Sequence, residues 1–204
     1  MELNNITMRH FLFLLLITLS LSGMAQDFST IQFNQSKNKI TKNGMWVLGG
    51  WGAANIVGSG IGAFTTTGEI QAFHQMNVGW GLINTGLAAL SLAGNKNAKT
   101  DLSPVETIKQ LEATKRIFLV NAALDVAYMA TGAYMIERSK GVDDIKRSDQ
   151  LSGFGKSFIL QGAGLMIFDA IMYAAHTRNG NRKLYNNISS LSIGPNGFYV
   201  AFNF

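Results

Sequence analysis

Four apolar stretches dominate this chain, at 46–64, 76–93, 117–136 and 157–175. Each approaches the ~20 residues that carry a helix across a hydrocarbon core. Each is apolar nearly all round, whereas a helix of a soluble bundle keeps a polar stripe. Within the four, only Asp125 and Asp169 carry formal charge. The expected fold class is therefore an all-α membrane protein, a four-transmembrane-helix bundle. Composition agrees: charged residues are 14 % of the chain, against roughly 25 % in an average protein. There are 22 glycines and 2 prolines, which suits helices packed closely in lipid.

The ends of the chain read differently. Arg9 and His10 precede the apolar run Phe11 to Leu21, and Gly23 and Ala25 stand at −3 and −1 of a cut before Gln26. This is the pattern of a secretory signal peptide. The expected organisation is signal peptide 1–25, an N-terminal extracytoplasmic segment 26–43, the transmembrane domain 44–178 and an extracytoplasmic tail 179–204. In the tail, Phe198, Val200, Phe202 and Phe204 alternate with Tyr199, Ala201 and Asn203 after the turn signal Gly194-Pro195-Asn196-Gly197. That pattern predicts a short C-terminal β-hairpin, leaning on the projecting start of the third helix. Ser103-Pro104-Val105-Glu106 has the form of a capping box with Pro at the first helical position. The third helix is thus expected from Pro104 to about Arg138, with 139–155 as a polar connection.

Small residues recur every fourth position: Gly50, Ala54, Gly58 and Gly62, then Gly81, Thr85, Ala89 and Ala93. Spacing of four puts each set on one helix face, where backbones can approach; a barrel strand would alternate with period two. Two of these glycines belong to a repeated motif, Gly50-Trp51-Gly52-Ala53-Ala54-Asn55 and Gly79-Trp80-Gly81-Leu82-Ile83-Asn84. With Trp46, Trp51 and Trp80 read as interfacial anchors, the motif suggests two related helices in inverted orientation.

If each helix starts at its apolar edge, Asn55 and Asn84 both lie ~13 Å below the outer face, Asp125 ~12 Å and Asp169 ~9 Å. Asn121 is one turn from Asp125 and Tyr173 one turn from Asp169. These six form an expected intramembrane polar cluster, with His176 near its mouth. An ionisable group at such depth costs ~2.5–3.5 kcal/mol on insertion scales and has a reason to be there. No Lys or Arg lies within the spans. Three readings stay open: protonated carboxyls bonded to amides as polar glue, an ion or proton site, or a site for a small polar ligand or lipid headgroup.

Other chemistry is thin. Absent cysteine excludes disulfides, thiolate metal sites, a Cys nucleophile and a lipoprotein anchor. Glu69 and His74 lack a third metal ligand, and no Ser-His-Asp order, phosphate loop or HExxH motif is present. Gly58 to Gly62, GSGIG, follows no strand and carries no nucleotide reading. A net charge of +5 without a basic run does not suggest nucleic acid. No enzyme activity, cofactor or metal is expected. The expected partners are the lipid bilayer and a second copy or another envelope protein.

GMWVLGGWGAAN (44–55), FHQMNVGW (73–80) and LSIGPNGFYVAFNF (191–204) resemble a family of uncharacterised small multi-helix membrane proteins of the Bacteroidota, a domain of unknown function. The resemblance implies a cleaved signal, about four helices and a short terminal β segment, and no activity. A cleaved signal would place both termini of an inner-membrane protein outside the cytoplasm. The charge bias opposes this: eleven Lys and Arg fall on the supposed outer side and five on the inner, the reverse of the usual rule. An outer-membrane location is the minor alternative. The expected role is structural or interaction-based in the envelope; the runner-up is a small ion or proton channel or transporter subunit using Asp125 and Asp169.

Overall fold

The computed structural model describes residues 29–185, 188–194 and 197–202; the expected signal peptide lies outside them. Four long helices follow one another: α1 Thr30–Thr65, α2 Gly68–Lys96, α3 Pro104–Ser139 and α4 Ile145–Lys183. Each begins where its sequence offers a start. Ser29 accepts a hydrogen bond from the Gln32 amide at 3.3 Å. Ser103 and Glu106 form the reciprocal capping box, with Pro104 in the first turn. Asp144 accepts from the Arg147 amide at 2.7 Å. The reversal from α1 to α2 needs a left-handed residue, and Gly68 supplies it at φ +62°.

The helices form two antiparallel hairpins, α1 with α2 and α3 with α4. The hairpins meet mainly along α2 and α4, with a lesser contact of α1 on α4. The backbones of α2 and α3 stay apart, and where Trp80 meets Tyr128 their side chains bridge the gap. Each hairpin crosses at a pair of glycines. A Cβ on Gly52 would stand 2.8 Å from the Gly81 carbonyl oxygen, and one on Gly81 2.7 Å from that of Gly52. In the second hairpin, a Cβ on Gly155 would stand 2.6 Å from the Gly132 carbonyl oxygen. Gly162 continues this seam against Asp125 and Met129 of α3.

Two small apolar cores result. One, of Met45, Leu48, Ala88, Phe118, Leu165 and Met172, lies in the bundle. The other, of Phe33, Leu111 and Leu184, joins the projecting ends of α1, α3 and α4. At 1.5 Å per residue, the 36 residues of α1 extend ~54 Å, well beyond a ~30 Å hydrocarbon core. The outer surface is apolar where a soluble protein would be polar: Phe64 is 89 % exposed, Val57 75 %, and Ile61 and Leu90 each 74 %. Three helices, α1, α3 and α4, are long and apolar enough to cross a membrane.

The expected fold class is corrected on two counts. Three helices meet the requirement for a span rather than four: between Met76 and Ala93, α2 carries Asn77, Asn84, Thr85, Ser91 and three glycines, which dilute its apolarity. Second, the packed body is all-helical. The segments Ile188–Gly194 (β1) and Gly197–Phe202 (β2) pair with each other but add no β layer to the bundle. What leans on the start of α3 is helical: the first turns of α1, within the segment expected as an N-terminal extension, and the end of α4. The expected polar connection 139–155 shrinks to 140–144, because Asp144 caps α4 there.

Candidate functional site: a lateral groove with a carboxyl pair

The polar residues of the spans sort into two layers. In the first, every side chain is satisfied. Gln161 is fully buried in α4. Its oxygen accepts from the Trp51 indole N–H at 2.9 Å. Its amide donates to Asn55 Oδ1 at 2.6 Å and to Asn77 Oδ1 at 2.8 Å. Ser157 adds a bond to Asn77 Oδ1 at 2.9 Å. Asn55 and Asn77 return their own amides to backbone carbonyls one turn earlier, Trp51 and Phe73. This network ties α1 and α2 to α4 and leaves none of its buried side-chain polar atoms without a partner.

The second layer is unfinished. Between α2 and α3, whose backbones stay apart, lies a cavity of about 420 Å³. Met45 and Leu48 of α1 and Leu165 and Phe168 of α4 contribute to its lining, and α2 and α3 form its sides. Asp125 on α3 and Asp169 on α4 line it and face one another, with the Asn121 amide close to Asp169. A side chain on a helix leans toward that helix's N-terminus. On antiparallel helices the two carboxyls therefore lean toward each other. Asp125 is 2 % exposed, Asp169 4 % and Asn84 2 %. Asp125 Oδ2, Asp169 Oδ1, Asn84 Nδ2 and the Trp80 indole nitrogen are buried, and none has a hydrogen-bond partner among the described residues. A buried polar group left so costs about 1–3 kcal/mol. The walls of the cavity include Trp80, Phe118, Tyr128 and Phe168, and the four unpartnered atoms lie behind them with almost no surface open to it.

Residues 47–170 match the model of a family of unknown function, DUF6992. The chain belongs to that family. The matched region holds both glycine crossings, the Gln161 network and both carboxyls of the groove. No curated protein and no solved structure matches the chain.

Within this DUF6992 chain, the cluster expected from sequence divides. Asn84, Asn121, Asp125 and Asp169 line the groove. Asn55 belongs to the satisfied layer instead. The crossing explains why: Gly52 faces Gly81, so Asn55 and Asn84, three residues beyond each on antiparallel helices, diverge by six residues or ~9 Å along the axis. Tyr173 packs beside the bundle core. His176 is fully buried and stacks on Phe118, with ring centroids 5.6 Å apart.

The packing residues divide too. Gly81 and Thr85 meet α1 as expected, but through Gly52. Gly50 and Gly58 have nothing within 4 Å of a built Cβ, and Ala54 and Ala89 are exposed. Gly62 meets the His74 ring. Of the tryptophans, Trp46 is 64 % exposed. The crossing puts Trp51 and Trp80 at one level rather than at opposite faces: Trp51 bonds Gln161, and Trp80 packs edge-on against Tyr128 and Phe158.

Sequence reasoning overlooked Gln161, though it was legible as the one large polar residue in the run Phe158 to Ile167. It also overlooked Lys37, which is 5 % exposed at the projecting end of α1. Lys37 Nζ donates to Gln110 Oε1 at 2.6 Å and has no carboxylate partner among the described residues. Burial holds its ammonium below the ordinary lysine range. Nearby, Tyr185 donates to Glu112. At the other end of the bundle Lys156 donates to Glu69. The hydrogen bonds from Lys156 and then Ser152 hold the Glu69 carboxyl below its usual value.

Proposed function

We propose that this chain is an integral membrane protein of the envelope that acts by binding, and that the groove between α2 and α3 is where it binds. The observation that carries this reading is the cavity of about 420 Å³ between α2 and α3, mostly apolar and lined in part by Asn84, Asn121, Asp125 and Asp169. Pockets of this volume, mostly apolar with a few convergent polar groups, are typical of small-molecule sites. The open side faces lipid, so the entrant is membrane-soluble. The start of α1 and the end of α4 lie at the end of the bundle away from the α1–α2 turn, and the signal-like pattern before α1 favours the extracytoplasmic side of the inner membrane for that end; reporter fusions at the helix connections test that orientation.

The carboxyl pair favours one further reading. Two facing carboxyls need a proton or a cation between them, so ion or proton handling at Asp125 and Asp169 is the runner-up. A direct test uses a nitroxide-labelled twelve-carbon alcohol, a neutral probe that quenches tryptophan emission. The groove reading expects saturable quenching in the purified protein. In Leu87→Phe/Leu124→Phe, which narrows both sides of the groove, half-saturation rises about tenfold, equivalent to ~1.4 kcal/mol. Quenching that stays linear with probe and is equal in both proteins is simple partitioning and rejects the groove.

A further inference from the structure

We infer that the α2–α3 groove takes the acyl chain of an anionic phospholipid, with the phosphate of the head group resting among basic side chains at one end of the groove. This inference rests on the groove being a binding site, and it deepens that reading by fixing the charge of the occupant and the direction in which it lies.

The groove has two unlike ends. At one, the edge-on contact of Trp80 with Tyr128, centroids 5.1 Å apart, bridges α2 and α3 and closes it. From there the lining is mostly apolar, through Ile83 and Leu87 of α2 and Leu124 and Ile117 of α3. The far end is polar: Thr41, Ser91 and Thr114, one residue from each of α1, α2 and α3. The half-buried Ser91 hydroxyl makes no hydrogen bond among the described residues, so its donor is free for a ligand. Along α3 the lining runs from Thr114 to Tyr128, ~21 Å of helix. An apolar slot of that length suits an alkyl chain lying along the helices. The chain asks nothing of the carboxyls in the wall. Asp125 and Asp169 bond to each other, and their unpartnered oxygens have almost no surface open to the cavity.

Charge selects the head group, because the polar end lies at the height of a basic rim. The Asn95 amide donates to the Asn38 carbonyl at 3.0 Å, and Lys37 donates to Gln110 at 2.6 Å, which brings these stretches of α1, α2 and α3 to one height. Thr41 meets His176 of α4 at 3.4 Å. Around this height each helix carries an exposed cation: Lys42, Lys96, Arg116 and Arg178. None of the four makes a hydrogen bond or an ion pair among the described residues. They stand just beyond the exposed apolar residues Trp46, Leu90, Ile117 and Ile171, where head groups meet hydrocarbon. Trp46, one turn from Lys42, is the kind of residue that settles at that boundary. From this height outward, eleven Lys and Arg stand against three acids, Asp101, Glu106 and Glu112. Lys115 and Tyr185 already hold Glu112. The opposite end of the bundle is balanced, with five residues of each sign. Lys and Arg gathered at a membrane surface attract anionic lipid, and a phosphate also accepts from the Ser91 hydroxyl. An ammonium head would meet like charge here, and a neutral head would leave the rim without a counter-ion.

The experiment compares three probes of equal chain length, dodecyl phosphate, dodecanol and dodecylamine, as competitors of the nitroxide alcohol on full-length protein in neutral lipid nanodiscs. Probe concentrations are counted in the membrane, so that partitioning does not enter. The expected result is displacement by dodecyl phosphate at a concentration about tenfold below that of dodecanol, with dodecylamine weakest. In Lys42→Gln/Lys96→Gln/Arg116→Gln, three exposed sites checked for folding by thermal unfolding, the advantage of the phosphate falls toward one. Equal displacement by all three probes in wild type, or an advantage for dodecylamine, overturns the anionic class while leaving the groove in place. No saturable displacement by any probe overturns the groove itself. An advantage that survives in the triple variant takes the head group away from the rim and overturns the proposal. Displacement by inorganic phosphate alone makes the rim a site for a free anion and likewise overturns it. The wild-type comparison decides the class even if the triple variant does not fold.

Discussion

Adding one methyl group at Gly52 is the sharpest test of the fold. The new Cβ of Gly52→Ala would lie 2.8 Å from both the Gly81 carbonyl oxygen and the Thr85 amide nitrogen. Ordinary van der Waals contact begins at 3.4 Å, so α1 and α2 must separate by more than half an ångström along a seam fixed on both sides by backbone. Overpacking of this kind costs about 1–3 kcal/mol, set against about 0.5–1 kcal/mol gained when Gly becomes Ala inside a helix. A net loss of ~1–2 kcal/mol follows. Gly58→Ala has the same propensity gain and nothing within 4 Å to strike, so it should stabilise by up to ~1 kcal/mol. The two substitutions are chemically identical and six residues apart on one helix, and the structure gives them opposite signs. Unfolding in mixed micelles, followed by circular dichroism over a denaturing-detergent titration, measures both. Equal tolerance, or a costlier Gly58→Ala, would refute the Gly52–Gly81 crossing and the depths derived from it.

Gln161→Leu removes hydrogen bonds to Trp51, Asn55 and Asn77 at once; at about 1 kcal/mol per bond it should lower stability in the same titration by ~2–4 kcal/mol, and a loss below ~1 kcal/mol would show that the network does not join the hairpins. Lys156→Ala should cost only ~0.2–1 kcal/mol, because its pair with Glu69 is screened by solvent. Glu69 titrates lower when folded, so this difference is complete above its unfolded value near 4.3 and disappears as pH falls through the folded one; a difference that persists at pH 2–3 would contradict the pairing. Lys37 has the opposite arrangement, a base whose buried charge lacks a counter-ion. Wild-type stability should rise with pH between its lowered value and about 10.4, and Lys37→Met should remove that rise in a thermal-shift series from pH 7 to 10.5.

Those signs also show which parts of the fold were readable in advance. The apolar runs located four helices because length and uniform apolarity are local properties. The start of α3 was readable to the residue because Ser103, Pro104 and Glu106 act on each other within one turn. Contact faces were not readable in the same way. Small residues every fourth position define a stripe, but both faces of α1 are apolar, so the pattern does not say which stripe meets α2. The buried positions are Leu48, Gly52, Ser59 and Ala63, about half a turn from Gly50, Ala54 and Gly58. Depth failed for a related reason. It was counted from the apolar edge of each span, whereas the helices run on past that edge, and the crossing at Gly52 and Gly81 sets their relative height.

The repeated Gly-Trp-Gly motif follows from this crossing. Its second glycine is the same structural element in both copies, since Gly52 and Gly81 are each other's contact, and each tryptophan is set beside that close approach. Beyond the glycine the two copies serve different neighbours. Trp51 and Asn55 lie near α4 and close a network with Gln161. Trp80 and Asn84 line the gap before α3, where no residue equivalent to Gln161 arrives. Two similar sequences thus end in opposite hydrogen-bonding states: the Trp51 indole meets Gln161, whereas Trp80 packs against the rings of Phe158 and Tyr128 and its N–H has no partner among the described residues. Asn84, Asp125 and Asp169 also line the cavity between α2 and α3, while Asn55 is held by Gln161 away from it. The crossing at Gly52 and Gly81 therefore separates the two asparagines, and the candidate site is the groove that Asn84 shares with Asp125 and Asp169.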